Sequence, residues 1–165
     1  MTGSLPEMSR ARRGEIVSAW AAQAFRAYSG QTARFLAEEP DPFRNPLGHL
    51  IQEALAELFD ELVGRMNAEK VLSCLESIAR VYAVQDTSPS EALGFLPSLK
   101  TIVRDALGDA RENREGLRTL DGRIETVCTL ASERLARCRE HLNEIRIRER
   151  ARRSWLQERM AARSR

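Results

Sequence analysis

The stretch "VYAVQDTSPSEALGFL" (residues 81–96) sets a polar run, Gln85-Asp86-Thr87-Ser88-Pro89-Ser90-Glu91, between two apolar segments. Its local chemistry is that of a helix start. Ser88 can accept from the free backbone N–H groups of a following helix, Pro89 suits the first helical position, and Glu91 completes an S-x-x-E capping box. A joint of this kind needs a helix on each side. Upstream, Val71, Leu72, Leu75, Ile78, Ala79 and Tyr82 recur at three- and four-residue spacing from about Ala68, with Asn67 as the cap. Downstream, the periodic pattern continues through "ALGFLPSLKTIVRDALGDA", where Pro97 removes one intrahelical hydrogen bond, crowds the carbonyl of Leu93 and predicts a kink.

The same spacing extends to both ends of the chain. A first helix is expected from about Ser9 to Ala37, with Ile16, Trp20, Ala24, Ala27 and Tyr28 on one face and a weak point at Ser29-Gly30. "EEPDPFRNP" (residues 38–46) ends it, and Asn45 followed by Pro46 starts the next. That helix aligns Leu47, Leu50, Ile51, Ala54, Leu55, Leu58 and Leu62 and stops near Gly64. The last helix, from about Leu117 to Met160, carries Leu117, Leu120, Ile124, Val127, Ala131, Leu135, Cys138, Leu142 and Ile145 in nearly a heptad seam with a stutter. No segment alternates like a strand, so the expected class is all-α, with about five helices in a globin-like fold or a helical bundle and a long C-terminal helix.

Composition narrows the function classes. At 42% hydrophobic and 30% charged the chain is not generally disordered, and 165 residues suffice for one domain with a core. The longest apolar runs fall well short of the roughly 20 residues that span a bilayer. "MTGSLPEMSRARRGE" has no apolar h-region, so a cytoplasmic location is expected. Cys74, Cys128 and Cys138 form neither a CxxC pair nor a metal-ligand spacing with histidine, and they read as buried free thiols. His49 lies beside an apolar stripe and His141 next to Leu142, which supplies neither an imidazole-centred catalytic group nor an axial haem ligand. No metal, cofactor or enzymatic activity is assigned.

Charge is unevenly placed. From Arg146 to Arg165 eight Arg stand against two Glu, a net +6, which leaves −4 for the first 145 residues of a chain with net charge +2. Arg146, Arg148, Arg150, Arg152 and Arg153 head this basic extension (146–165), which follows a helical domain taken as 1–145. A basic helix with Trp155, Leu156 and Met160 suits an acidic protein partner, an anionic membrane surface or nucleic acid, or is simply solvated with pairs such as Glu149 with Arg152 or Arg153. Nucleic acid is not indicated, because no turn and recognition helix is evident.

Four segments together resemble the RsbRD N-terminal domain family, which stands at the front of RsbR-type co-antagonists of stressosome signalling. They are "AYSGQTARFL", "DPFRNPLGHLIQEALAELFDEL", "AVQDTSPSEALGFLPSLKTIVRDAL" and "ARCREHLNEIRIRE". The resemblance implies a non-haem, globin-like input domain that dimerises and passes a signal through its final helix to a C-terminal STAS domain. The STAS domain is not expected within these residues, and Pro97 interrupts what the family usually keeps as a continuous apolar helix. The expected function is therefore that of a non-catalytic regulatory domain, a homodimer acting on a STAS-domain or kinase-type regulator. The alternative is a structural adaptor for a larger enzyme complex.

Gln85 and Asp86 read either as polar contacts in a small-molecule pocket under the joint or as groups that satisfy free helix ends. Lys100 could pair with Asp86 or a ligand anion, or sit on a solvated helix face. Arg139 and Glu140, in a stretch of alternating charge that suits helix–helix contact, join Tyr82, Phe95 and Lys100 as candidate ligand or partner contacts.

Overall fold

The computed structural model describes residues 5–108 and 113–163. Their regular secondary structure is helix, with no strand among the described residues. In chain order the elements are α1 (Leu5–Ala11), α2 (Arg13–Phe25), α3 (Gly30–Glu38), α4 (Pro46–Val63), α5 (Ala68–Ala83), α6 (Pro89–Leu93), α7 (Phe95–Leu107) and α8 (Arg114–Arg163). The all-helical expectation holds, but helices outnumber the five expected because two long periodic segments divide. The first breaks at Arg12 and again at residues 26–29, beside the Ser29-Gly30 weak point.

The second division falls at Gly94. Pro97, the third residue of α7, has no N–H to return to the Leu93 carbonyl, so the ladder is interrupted there. The proline ends up in a first turn, where N–H groups lack intrahelical partners anyway. α7 ends at Gly108, whose φ of 72° lies in the left-handed region that glycine tolerates. The last two residues of the expected helix, 109 and 110, lie outside the described residues.

The core forms where α5 packs on α4 and α8, and where α2 packs on α7 and α4. Trp20, Phe25, Leu55, Leu58, Phe59, Leu75, Ile78, Tyr82, Leu96 and Leu99 are buried in one continuous cluster. Its burial at about 25 cal/mol per Å² of apolar surface is the main stabilising term. Leu50, expected on the α4 stripe, is instead 43% exposed. The first turn of α4 faces α3 with Gly48: a Cβ there would lie 2.4 Å from the Leu36 carbonyl oxygen. Close approach of two backbones, not side-chain packing, determines that contact.

α8 is 50 residues long, about 75 Å at 1.5 Å per residue. Its buried positions run from Leu117 to Leu135, while Cys138 and Leu142 are half-buried and every residue from Asn143 to Arg163 is exposed. The stripe therefore leaves the core before Ile145, not after it, because α5 and the joint that follows it are the last structures to cover α8. The expected pairs of Glu149 with Arg152 or Arg153 do not form; the ordered contact is Arg159 over the Trp155 ring at 4.7 Å. No helix among the described residues is long and apolar enough to cross a membrane.

All three cysteines are free. Cys74 is buried as expected, and its burial, with Glu57 nearby, pushes the thiol up to about 12. Cys128 and Cys138 are only half-buried.

Candidate functional site

Residues 84–88 join α5 to α6, and the expected cap is formed in full. Ser88 Oγ accepts from the Glu91 N–H at 3.3 Å, and the Glu91 carboxylate accepts from the Ser88 N–H at 2.9 Å and from its hydroxyl at 2.8 Å. The Ser88 backbone and side-chain hydrogen bonds hold the Glu91 carboxyl below its ordinary range. Pro89 and Ser90 occupy the exposed first turn of α6, the Ser90 hydroxyl lying 3.2 Å from that of Ser88.

Below the joint lies an aromatic cluster. Tyr82 stacks on Phe95 with ring centroids 5.7 Å apart, and Trp20 and Tyr28 flank the pair at 6.4 and 6.2 Å. The polar atoms are committed as well: Tyr82 Oη donates to the Ala24 carbonyl at 2.6 Å and Trp20 Nε1 to the Phe95 carbonyl at 2.9 Å. Burial raises the Tyr82 hydroxyl well above its usual value, so it stays a neutral donor. Tyr82 and Phe95 thus belong to the buried core, and Phe95 also borders a cleft at its edge.

Gln85 closes this cluster, its Nε2 donating to Tyr28 Oη at 2.6 Å. The long helix then reaches over the joint. Arg139 Nη2 donates to the Thr87 carbonyl at 2.8 Å and to the Gln85 carbonyl at 3.4 Å. An equivalent device lies 16 residues earlier on α8: Arg123 Nη1 donates to the carbonyls of Leu62 and Gly64 at 2.7 and 2.9 Å, where α4 ends. One helix therefore satisfies carbonyls at the end of α4 and in the joint between α5 and α6.

Other expected site residues lie elsewhere. Lys100 pairs with Glu125 of α8 at 2.8 Å rather than with Asp86, which is exposed at the joint. Glu140 is exposed on α8. Arg146 lines a cleft beside the joint, whereas Arg148, Arg150, Arg152 and Arg153 are exposed further along α8.

Among the described residues, three clefts border the joint. One of about 370 Å³ lies on the α2 side, lined by Arg26, Thr87, Glu91 and Phe95. A second, of about 470 Å³, runs between Asp86, Arg139 and Arg146. A third, also about 470 Å³, is lined by Arg80, Arg134, Arg137 and His141. Thr87 borders the first two, and its Oγ1 is buried without a hydrogen-bond partner. Sequence reasoning placed Tyr28 on an apolar helix face without a site role, and gave none to Thr87 or to the α8 arginines at 134 and 137. Their roles depend on contacts between residues far apart in the chain, for which local pattern carries no signal.

No curated protein and no solved structure matched the chain. The family model of the RsbT co-antagonist protein rsbRD N-terminal domain matches residues 14–150, which takes in the joint, the aromatic cluster and α8 as far as Arg150. The chain belongs to the rsbRD N-terminal domain family of RsbT co-antagonist proteins.

Proposed function

We propose that this protein is a non-catalytic, cytoplasmic input domain of stressosome-type regulation, a homodimer that controls a partner protein through α8. Residues 1–145 form the sensing unit, with globin-like helix packing, and 146–165 form its basic output extension. The observation that carries this reading is the bond from Arg139 to the carbonyls of Gln85 and Thr87, which ties the output helix to the joint. A change in the packing of Tyr82, Phe95 and Gln85 would alter this contact, and α8 would carry the difference to its exposed end. Such a device needs two packings of unequal affinity for signal or partner, and nothing else. The partner is a STAS-domain or kinase-type regulator.

A structural adaptor for a larger complex is the second reading. It is favoured by the closure of the aromatic cluster, whose rings and polar atoms are already engaged. Ligand-dependent thermal stabilisation separates the two, because a sensor gains stability by mass action and an adaptor does not. The direct test is co-purification from the native host of the intact chain and of a chain ending at Ile145. Capture of STAS-domain proteins or a switch kinase by the intact chain alone is the expected result. Capture of metabolic or respiratory enzymes, or equal capture by both chains, would overturn the regulatory reading.

A further inference from the structure

The two clefts of about 470 Å³ beside the joint run into one another. Ala83, Val84 and Leu142 line both, so together they form one groove between the end of α5 and α8. From Arg134 to Arg146 the groove follows about 18 Å of α8, at 1.5 Å per residue. Its middle is apolar and uncovered: Val84 is 63% exposed, although Val81, Tyr82 and Ala83 before it are buried, and Leu142 beside it is only half-buried.

Both ends of the groove are basic. Arg80, Arg134 and Arg137 line one end and Arg139 and Arg146 the other, five arginines against Glu76 and Asp86, a net +3 before His141 is counted. The fold uses only part of this charge. Arg80 and Arg134 share the one carboxylate of Glu76, at 3.1 and 3.6 Å, and Arg139 is held by neutral carbonyls. Arg137 and Arg146 are exposed and form no ion pair among the described residues.

We propose that this groove takes an acidic, amphipathic helical segment of a partner protein, laid along α8. An apolar ridge between two clusters of guanidinium groups calls for an apolar side chain between two carboxylates. The apolar side chain covers Val84 and Leu142, and the carboxylates, about three helical turns apart, meet Arg137 at one end and Arg146 at the other. Val84 opens the joint and Arg139 holds its carbonyls, so a segment seated here touches the joint and α8 together. The inference rests on the partner protein of the proposed function and supplies that partner's chemistry and its seat.

The test uses the full chain and a fluorescein-labelled synthetic peptide of Glu, Leu and Ala, with Leu at helical i, i+3, i+4 and i+7 spacing and Glu on its flanks, read by fluorescence anisotropy. The wild type should bind it with half-saturation at about 100 μM or below, as for a small transient interface, and more weakly as salt rises. The same peptide with Gln in place of Glu should not bind. V84E, and separately the pair R137E and R146E, should each bind at least about tenfold more weakly, with thermal melts like the wild type because these side chains are exposed. A chain with Arg148, Arg150, Arg152 and Arg153 changed to Gln should bind like the wild type, since these residues lie beyond the groove. Absence of binding, binding that V84E leaves unchanged, or binding lost only in the Gln-substituted extension would each overturn the proposal. So would a V84E chain whose own mass in light scattering differs from the wild type while the peptide fails to bind, because the groove would then be a contact between copies. The peptide assay needs no native partner, so its failure is separate from a failure of the capture experiment that tests the regulatory reading.

Discussion

The joint between α3 and α4 and the joint between α5 and α6 are built from similar residues and are connected to the molecule in opposite ways. At the first, the side chain of Asn45 is buried and caps two helices at once. Its Oδ1 accepts from the Gly48 N–H at 3.0 Å, and its Nδ2 donates to the Leu36 carbonyl at 3.0 Å and to those of Glu39 and Phe35 at 3.3 and 3.4 Å. Gln52 adds a second donor to Leu36 at 3.3 Å. Every one of these partners lies on α3, α4 or the loop between them. At the second joint the cap is exposed and self-contained, while the carbonyls beside it are taken by Arg139, 52 residues away in the chain. A closed joint fixes the angle between its own two helices. An open one makes the position of a distant helix part of its own hydrogen bonding, and that is the property a signal path requires.

The contrast can be broken most severely at the first joint. Gly48→Ala would place a methyl carbon 2.4 Å from both the Leu36 carbonyl oxygen and Asn45 Nδ2. A loss of about 2–4 kcal/mol in urea unfolding is expected, from overpacking and from separating the paired groups. Asn45→Ala should cost about 2–3 kcal/mol by leaving buried carbonyls and an N–H unpaired. Neither change is expected to alter partner capture beyond its effect on the folded fraction.

At the second joint the expected losses are smaller. Ser88→Ala should lower stability by about 1 kcal/mol, the usual worth of an N-cap. Acid should act on the same cap. The hydrogen bonds from Ser88 hold the Glu91 carboxyl below the usual carboxylate value, so its contribution is complete above that usual value and is lost as pH falls through the lowered one. A pH series of melts should therefore show the difference between wild type and Glu91→Gln shrinking on acidification. Lys100→Met should change stability by about 0.5 kcal/mol or less, since its partner Glu125 is 72% exposed and the pair is screened.

Local chemistry was legible in advance. Asn45, Asn67 and Ser88 each accept from the backbone N–H three residues on, as their positions before helical runs implied, because capping is decided within one turn of chain. The apolar faces of α5 and of the first half of α8 were legible for the same reason. Division of the segment at 89–107 was legible as a disturbance at Pro97 but not as a break at Gly94. The tight seat of Gly48 was not visible, since a glycine near a helix start has many uses and the Leu36 carbonyl that demands it is 12 residues back. Lys100 was read with Asp86, a ligand anion or solvent as alternatives; Glu125 was not among them, because it is brought there by the packing of α7 along α8. Arg139 was recognised as a contact residue without its partner, because charge alternation marks a helix for association and names nothing on the other side.

The coupling of α8 to the α5–α6 joint is tested most directly by double-mutant cycles in urea unfolding. One cycle combines Arg139→Met with Ser88→Ala, and the control combines Arg139→Met with Asn45→Ala. The expected result is a coupling of about 0.5 kcal/mol or more in the first cycle and additivity within about 0.3 kcal/mol in the control. Additivity in both cycles would contradict the account, leaving Arg139 as a surface contact and α8 without a connection to the joint.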